Sequence, residues 1–531
     1  MTPVQEKVLT ELPSFSSDCL VQAKTGTGKT VAFLLPTLNR ILQARNQRKG
    51  DVSVLIISPT RELAMQIKAE CDMLTARVRP ALECHTAFGG TKKEKHLADF
   101  LSGNPTVLVA TPGRLNDYLS DEHVASKFSN LQSLILDEAD TMLEAGFLPA
   151  ITEVLRRIPP KSAGWQGMCF SATVPEKIKP VLGKVLKPGY TSLSTVDPNE
   201  VPTIEAVDQY SVIAPTISDV LPTLAALIEQ ERAQTPNLKA IVFGATANGV
   251  GLLYDLFVPL VGSSIKVHEL HSRLSQSART RTTDDFKKAS AGLMFASDVI
   301  GRGMDFPNVD LVIQVGLPSS GEQYVHRVGR TARAGTKGRS VILLTDRESY
   351  FLKVNKQLPI KPYTGNLAPL VAQAQAAVEQ ALSSVDETAK AKAYQAFLGF
   401  NKTFTKQLRL DNPGLVELAN EYAAALGCPE PPMIDKQVVG KMGLKGVRGL
   451  NVGQIERKPH GQRGGRGQAQ GQGQGRVQQN GGVRKIGPSQ ENGMGQSGRG
   501  GAGGGRGGQR SRGGRGGRGG QGGKGAANGS G

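Results

Sequence analysis

The chain has 531 residues, 39% of them hydrophobic, and a formal net charge of +18. Because one hydrophobic core does not serve so long a chain, we expect two or three domains, and the basic charge favours a polyanionic partner, either a nucleic acid or an acidic membrane surface. The five cysteines are scattered and include no C-x-x-C pair, which argues against structural zinc and for a reducing compartment. No run of 18 apolar residues occurs, so we expect no membrane-spanning segment.

The first motif is AKTGTGKT at residues 23–30, between an apolar run at residues 19–21 and the apolar start of a predicted helix. A strand, a glycine-rich turn and a helix N-terminus form a phosphate cradle, because backbone N–H groups and the helix dipole converge on anionic oxygens. In such a loop Lys29 reaches the β- and γ-phosphates, and the Thr30 hydroxyl holds Mg²⁺. The usual pattern opens with Gly, which Ala23 replaces, so the motif alone also fits a turn without a ligand.

Two further predicted strands end in polar turns. Residues 52–58 are apolar and β-branched, which is typical of a buried parallel strand, and they lead into Pro59, Thr60 and Arg61. Residues 106–110 form a similar strand that leads into a Thr-Pro-Gly-Arg turn. An arginine and exposed N–H groups at the carboxyl edge of a strand suit a sugar-phosphate backbone, although each turn alone also fits an ordinary loop. Thr60 has the side chain and position of a helix N-cap.

A fourth predicted strand ends in the acidic residues 137–140, with the sequence Asp-Glu-Ala-Asp. Consecutive carboxylates at the end of a buried strand are costly unless a cation accompanies them, and a Mg²⁺–nucleotide held by the phosphate loop is such a partner. Asp137 then holds Mg²⁺ through water, and Glu138 orients or deprotonates the attacking water. A later strand ends in Ser171 and Thr173, whose hydroxyls are placed to bridge to the acidic cluster.

The second half repeats the alternation of strands and helices after a polar segment with two prolines at residues 196–207. We therefore predict a linker followed by a second doubly wound domain. This domain has no Gly-Lys-Thr turn, but it offers a glycine-rich loop at residues 298–305 and three arginines at spacings that line one helix face: Arg327, Arg330 and Arg333. A plain basic helix face is the alternative interpretation.

The ordered series AKTGTGKT, PTRELA, GG, TPGR, DEAD, SAT, a V-F-x-x-T strand end at residues 242–246, Q-x-x-R, RGMD and HRVGRTAR resembles the DEAD-box RNA helicases over roughly residues 1–355. The resemblance implies an α/β fold with two tandem RecA-like domains, each a doubly wound parallel sheet, that close over ATP and RNA. It implies an RNA-dependent ATPase, an RNA helicase or RNA chaperone that separates short duplexes by bending one strand. An ATP-gated RNA clamp, a catalytically idle RNA-binding scaffold and a DNA helicase are the alternatives.

The resemblance assigns roles to individual residues. For catalysis it implies Lys29, Asp137, Glu138, Arg330 and Arg333, the two arginines reaching the γ-phosphate across the cleft. For ATP it implies Gln5 at the adenine, Asp305 at the ribose, and Ala23, Lys24, Thr25, Gly26, Thr27, Gly28, Lys29 and Thr30 at the phosphates. For Mg²⁺ it implies Thr30 and Asp137. For the RNA backbone it implies Pro59, Thr60, Arg61, Gly90, Thr111, Gly113, Arg114, Thr246, Arg279, Ser297 and Gly301. For coupling between domains it implies Ser171, Thr173, His326 and Arg327.

The predicted segments are helicase domain 1 at residues 1–195, the linker at 196–207, helicase domain 2 at 208–358, a helical extension at 366–455 and a basic tail at 456–531. The extension holds an aromatic cluster that either packs on domain 2 or forms a wedge extending the RNA groove: Tyr394, Phe397, Phe400, Phe404 and Tyr422. The tail is rich in Gly, Gln and Arg, with twelve Lys or Arg residues and one acid after Pro459. We expect it to be disordered and to bind RNA by charge and guanidinium stacking.

The extension resembles the appendage of the fungal mitochondrial DEAD-box proteins that help group I and group II introns to splice. The resemblance implies a monomer in the mitochondrial matrix that acts on structured RNA with little sequence specificity. No transit peptide is visible in the sequence, and the chain begins only a few residues before Gln5. We therefore expect the sequence to lack its true N-terminus.

Overall fold

The computed structural model describes residues 1–12, 16–24, 26–44, 48–90, 93–144, 146–174, 178–196, 207–298, 304, 306–332 and 337–454. All of these belong to one compact unit, Met1–Arg457. The predictions for Thr25, Gly301, Asp305, Arg333, most of the linker and the basic tail lie outside the described residues.

The first half forms a parallel sheet covered by helices. Its strands are β1 (Cys19–Gln22), β2 (Val54–Ile57), β3 (Cys84–Ala87), β4 (Val107–Ala110), β5 (Ser133–Leu136), β6 (Gln166–Ser171) and β7 (Thr191–Ser194). Its helices are α1 (Pro3–Glu11), α2 (Lys29–Gln43), α3 (Arg61–Thr75), α4 (Lys93–Ser102), α5 (Pro112–Leu119), α6 (Glu122–Ser126), α7 (Ala139–Glu144), α8 (Leu148–Arg157) and α9 (Lys179–Val185). The strand order is β3-β4-β2-β5-β6-β1-β7.

The apolar runs become central strands because helices cover both faces of this sheet. Along β2, Leu55 and Ile57 enter one apolar cluster, whereas Val54 and Ile56 enter the cluster on the opposite face. This period of two is that of a strand, and burial on both faces explains why the run has no polar alternation. The carboxyl ends of β1, β2, β5 and β6 consequently meet at one edge of the sheet, which places their polar turns together.

The second half repeats the arrangement strand for strand. Its strands are β8 (Asp208–Ala214), β9 (Lys239–Gly244), β10 (Val267–Leu270), β11 (Gly292–Ala296), β12 (Leu311–Val315), β13 (Arg339–Thr345) and β14 (Ile360–Pro362). Its helices are α10 (Val220–Gln234), α11 (Ala247–Val261), α12 (Gln276–Lys288), α13 (Gly321–Val328) and α14 (Tyr350–Val354). The order β10-β11-β9-β12-β13-β8-β14 matches that of the first sheet, position by position. The prediction of two tandem RecA-like domains is therefore confirmed, while their sequence boundaries stay predictions.

The C-terminal extension consists of α15 (Ala368–Ser384), α16 (Glu387–Asn401), α17 (Asn412–Ala425) and α18 (Lys436–Lys441), with a short pair of strands, β15 (Ile434–Asp435) and β16 (Val452–Gly453). Helix α15 packs on α10, and α16 packs on α11. The aromatic side chains predicted to cluster here lie in apolar clusters shared with the second sheet: Tyr394, Phe397, Phe400, Phe404 and Tyr422. They pack on domain 2, and the wedge stays a prediction.

Within the described ranges, none of the helices combines the length and the apolar character that a bilayer span requires.

Candidate nucleotide and RNA sites

The phosphate loop joins β1 to α2, and Gln5 packs against it. Gly28 precedes the helix with a φ of +90°, which favours glycine, and a Cβ atom there would displace the Gln5 side-chain amide, whose Nε2 atom would lie 2.5 Å away. The Gln5 side-chain amide donates to the Gly28 carbonyl oxygen at 3.3 Å and accepts from the Thr2 backbone N–H at 3.0 Å. The structure therefore brings the predicted adenine residue to the phosphate loop.

Lys29 forms a buried ion pair with the acidic motif. Its ammonium lies 3.2 Å from Glu138 Oε1 and donates to the Ala23 carbonyl oxygen at 3.2 Å. Burial by itself lowers the pKa of Lys29, but the carboxylates of Glu138, Asp137 and Asp140 outweigh burial and raise that pKa above its ordinary value. Lys29 therefore stays protonated beside the phosphate loop.

Asp137 and Glu138 follow β5 directly and are almost fully buried. Burial, reinforced by the charge of Glu138, raises the pKa of Asp137 to about 7, although Lys29 acts in the opposite direction. Glu138 has a φ of +52°, an uncommon value for a residue other than glycine and a form of backbone strain found at functional sites. Its Oε2 atom is buried and accepts no hydrogen bond from the described part of the chain. These hard oxygen donors are of the type that Mg²⁺ prefers.

Asp140 connects the acidic motif to the strand that ends in Ser171. Its Oδ2 atom accepts from the Thr173 backbone N–H at 3.0 Å and from the Thr173 hydroxyl at 2.9 Å, and its own N–H donates to Ser171 Oγ at 3.3 Å. Burial opposes ionisation, but the charges of His326 and Lys29 and the N–H donors prevail and lower the pKa of Asp140. Because His326 belongs to the second half, this carboxylate interacts with both halves of the chain.

Arg327 and Arg330 lie inside the second half. The Arg327 guanidinium binds Asp298 with two hydrogen bonds of 2.7 and 3.0 Å and lies over the Phe243 ring. The Arg330 guanidinium donates to the Met304 carbonyl oxygen at 2.7 Å and to that of His326 at 3.1 Å, and its side chain is buried. Arg327 therefore fixes α13 to Asp298, which lies after β11. Arg330 is bonded to carbonyl oxygens of its own domain.

Six of the seven predicted RNA contacts of the first half, all except Gly90, line an open groove of about 560 Å³. The residues that line it include Pro59, Thr60, Arg61, Gly89, Thr111, Gly113 and Arg114 from the first half and Ser272 and Arg279 from the second. The Arg61 guanidinium lies so close to Gly90, which has a φ of +88°, that a side chain there would clash with it. Thr246 and Ser297 do not line this groove; Thr246 caps α11 by accepting from the Gly249 N–H at 3.0 Å, and Ser297 is buried after β11.

Sequence reasoning missed Glu62, which joins the two halves beside this groove. Its Oε2 atom lies 2.5 Å from Arg279 Nη2, and its Oε1 atom accepts from the Gln276 amide at 3.2 Å. Burial lowers the pKa of Arg279, an effect that the Glu62 charge partly offsets. The available signal was an acid within PTRELA and an arginine within Q-x-x-R, but only the folded chain shows that they meet.

Two matched parallel sheets with one phosphate loop, and an acidic motif linked to the second sheet, define a tandem RecA-like nucleoside triphosphatase. The first half matches the family DEAD/DEAH box helicase over residues 2–181, and the second matches the helicase conserved C-terminal domain over residues 220–335. The chain belongs to the DEAD-box RNA helicase family, and it is an RNA-dependent ATPase and RNA helicase.

Curated relatives support this assignment over most of the chain. The chain is 60% identical over 454 residues to a mitochondrial ATP-dependent RNA helicase MSS116 of Phaeosphaeria nodorum, covering 85% of this chain and 82% of the relative. It is 58% identical over 479 residues to the protein of that name from Aspergillus oryzae, covering 88% and 75%. Among solved structures, Mss116p bound to ssRNA and AMP-PNP is similar with a TM-score of 0.72 at 29% identity, covering 83% of this chain and 89% of that one.

Proposed function

We propose that Lys29, Asp137 and Glu138 form the hydrolytic centre for ATP. The observation that carries this proposal is the buried ion pair between Lys29 and Glu138 beside the phosphate loop. An arriving γ-phosphate competes with Glu138 for the Lys29 ammonium, because its oxygens are strong anionic acceptors. The exchange releases the Glu138 carboxylate, which then orients the attacking water and accepts its proton.

We propose Mg²⁺ as the metal of this site. Mg²⁺ binds proteins through one or two carboxylates together with nucleotide phosphates, so Asp137 and Thr30 suffice as the protein's contribution. The ion would supply charge neutralisation at the β- and γ-phosphates. A cation near Asp137 would also favour its ionised form, against the burial that raises its pKa to about 7.

The two halves share the work of hydrolysis in this proposal. Arg330 and Arg333 reach the γ-phosphate from the second half. Asp140, through Thr173, Ser171 and His326, couples the acidic motif to the closing of the two halves. The charge interaction between Asp140 and His326 supports such a link, because it joins the acidic motif to α13, the helix that ends two residues before Arg330. Hydrolysis would then require a closed chain.

A single RNA strand would lie along the groove that contains Arg61, Arg114 and Arg279, held by its phosphates and sugars. Contacts of this type carry little sequence information, so we expect the protein to act on structured RNAs of many different sequences. We propose mitochondrial group I and group II introns as the RNAs, the mitochondrial matrix as the location, and a monomer as the active form. The mitochondrial names of the Phaeosphaeria and Aspergillus relatives support the location.

A duplex-release assay run beside an RNA off-rate assay tests the proposal. We expect ATP-dependent release of a short RNA duplex, and we expect Glu138→Gln to lower kcat for ATP by about 10²–10⁴-fold while RNA binding is retained. Glu94→Gln removes the same charge at an exposed position of the first half and serves as the matched control. Tight RNA retention without release would favour the ATP-gated clamp, and an unchanged kcat in Glu138→Gln would refute the role proposed for Glu138.

A further inference from the structure

Each loop of the ATP site has a counterpart in the second half, because the two sheets have the same strand order. Helix α2 begins at Lys29 after β1, and α10 begins at Val220 after β8. The acidic residues 137–138 follow β5, and residues 316–317, Gly-Leu, follow the equivalent strand β12. The lysine and both carboxylates are therefore replaced by apolar residues at the matching positions.

A cavity of about 110 Å³ lies at this counterpart position. Its walls include the loops after β8, β9, β12 and β13, represented by Ile217, Ala245, Leu317 and Glu348. The corresponding edge of the first sheet is where the phosphate loop and the acidic motif meet. In open α/β sheets, ligands bind in the crevice outside the carboxyl ends of the strands. The cavity lies at that edge and is concave, so both its place in the sheet and its shape are those of a ligand site.

The helical extension supplies the remaining wall, and that wall is aromatic. Phe397 on α16 and Tyr422 on α17 stack with ring centroids 4.2 Å apart and an interplanar angle of 12°. Both rings line the cavity together with Phe400, and all three side chains are only partly buried. Aromatic faces favour a planar apolar guest, by offset stacking or edge-to-face contact.

Two charged side chains, Arg347 and Glu348, also line the cavity. Glu348 is an acid whose Oε2 atom accepts from the Thr345 N–H at 2.8 Å and from the Thr345 hydroxyl at 3.0 Å. Val220 stands in place of the phosphate-loop lysine, and the acid Glu348 is accompanied by the base Arg347, so the charged groups that line the cavity balance each other. The other walls are mostly apolar, and burying a charged guest among them is costly. An apolar cavity of about 150 Å³ takes benzene, so a cavity of this size with an open side takes a guest of about one ring.

We propose that this cavity, between the second sheet and the helical extension, is a binding site for a small uncharged aromatic molecule. The guest lies against Phe397, Phe400 and Tyr422, at the carboxyl edge of the second sheet. The site is distinct from the ATP site and from the groove that contains Arg61 and Arg279, although Thr246, a predicted RNA contact, is among its lining residues. Because its walls come from both domain 2 and the extension, an occupant stabilises their junction.

Ligand-observed ¹⁹F NMR on the full chain tests the proposal, with fluorobenzene as the probe and 4-fluorobenzoate as the charged comparison. We expect saturable binding of fluorobenzene, and weaker binding of 4-fluorobenzoate because its carboxylate loses hydration among the apolar walls. We expect no displacement of fluorobenzene by excess ADP with Mg²⁺. Absence of saturable fluorobenzene binding would overturn the proposal. Displacement by ADP would place the probe in the ATP site and would overturn it as well.

A cavity-filling variant locates the probe. Ala425→Leu adds bulk from α17 into the cavity, and we expect it to weaken fluorobenzene binding at least tenfold. Ala376→Leu makes the same change at an exposed position of α15 and should leave binding unchanged. Leu408→Phe, which fills the cavity from a different segment, repeats the test if Ala425→Leu does not fold. Equal binding by a folded filling variant and by the Ala376 control would refute the assignment.

Discussion

Asp137 and Asp140, two carboxylates of the acidic motif, have pKa values that are shifted in opposite directions. Burial and the charge of Glu138 raise the pKa of Asp137 to about 7, whereas the surroundings of Asp140 overcome its burial and lower its pKa. Asp137 binds a proton more tightly in the folded chain than in the unfolded chain. Its contribution to stability therefore falls as the pH rises from about 4 to about 7, while that of Asp140 is present above about 4 and is lost on acidification.

Asn substitutions should separate the two carboxylates by the sign of their effect. In the absence of nucleotide, we expect Asp137→Asn to raise the thermal midpoint of the first transition at pH 8 by about 2–6 °C, because a buried charge is removed. The gain should shrink toward pH 4. Asp140→Asn should lower the midpoint at pH 8 through lost hydrogen bonds and charge contacts, and the loss should shrink on acidification. Effects of the same sign for both variants across this pH range would contradict the assignment.

At the scale of single elements, local signals in the sequence predict the strands and caps well. The apolar run at residues 134–136 becomes β5 (Ser133–Leu136), and the predicted N-cap Thr60 accepts from the Leu63 N–H at 3.3 Å. Such features depend on neighbours along the chain. The ion pair between Glu62 and Arg279 depends instead on the tertiary fold, because it joins the first turns of α3 and α12, which belong to different halves of the chain. Sequence reasoning identified Arg279 by resemblance and had no means to find its partner.

The Glu62 pair makes a prediction about RNA affinity. In the structure the Arg279 charge is neutralised by a buried carboxylate beside the groove, so Glu62→Gln should make that charge available to an RNA phosphate. We expect the Kd for single-stranded RNA without ATP to fall by about 3–10-fold, and the slope of log Kd against log salt to steepen by about one unit. Glu94→Gln, which makes the same charge change on exposed α4, is the matched control. Equal salt slopes for the two variants would show that Arg279 does not contact RNA phosphates.

At the scale of the whole molecule, the sequence predicts two similar halves but not what covers them. The aromatic residues of the extension were open to two interpretations, because an apolar helix face does not name its partner. The structure packs Tyr394 against the second sheet and places Phe397 and Tyr422 on a cavity that the sequence did not predict. The same limit applies to catalysis. Motifs identify Lys29 and Arg330 separately, whereas their cooperation depends on how the halves approach each other.

The division of the ATPase between two halves is tested at Arg330. Its guanidinium bonds to the carbonyl oxygens of Met304 and His326, so delivery to a γ-phosphate requires it to exchange these partners. Because an arginine supplied across a cleft contributes about 10³–10⁵-fold to turnover in related nucleoside triphosphatases, we expect Arg330→Ala to lower RNA-stimulated kcat by that order. Affinity for a fluorescent ATP analogue should change by less than about threefold, since the phosphate loop belongs to the other half.

A merely structural role for Arg330 would produce a different pattern. Loss of its carbonyl contacts would lower the thermal midpoint and would weaken RNA binding together with turnover. Arg330→Lys keeps the positive charge but lacks the planar fork that bonds two oxygens at once, so we expect it to restore folding and RNA affinity without restoring kcat. Arg232→Ala removes an arginine of α10 that is not among the residues lining the RNA groove, and it controls for charge. Full RNA-stimulated turnover in a folded Arg330→Ala chain would mean that the first half hydrolyses ATP without the second.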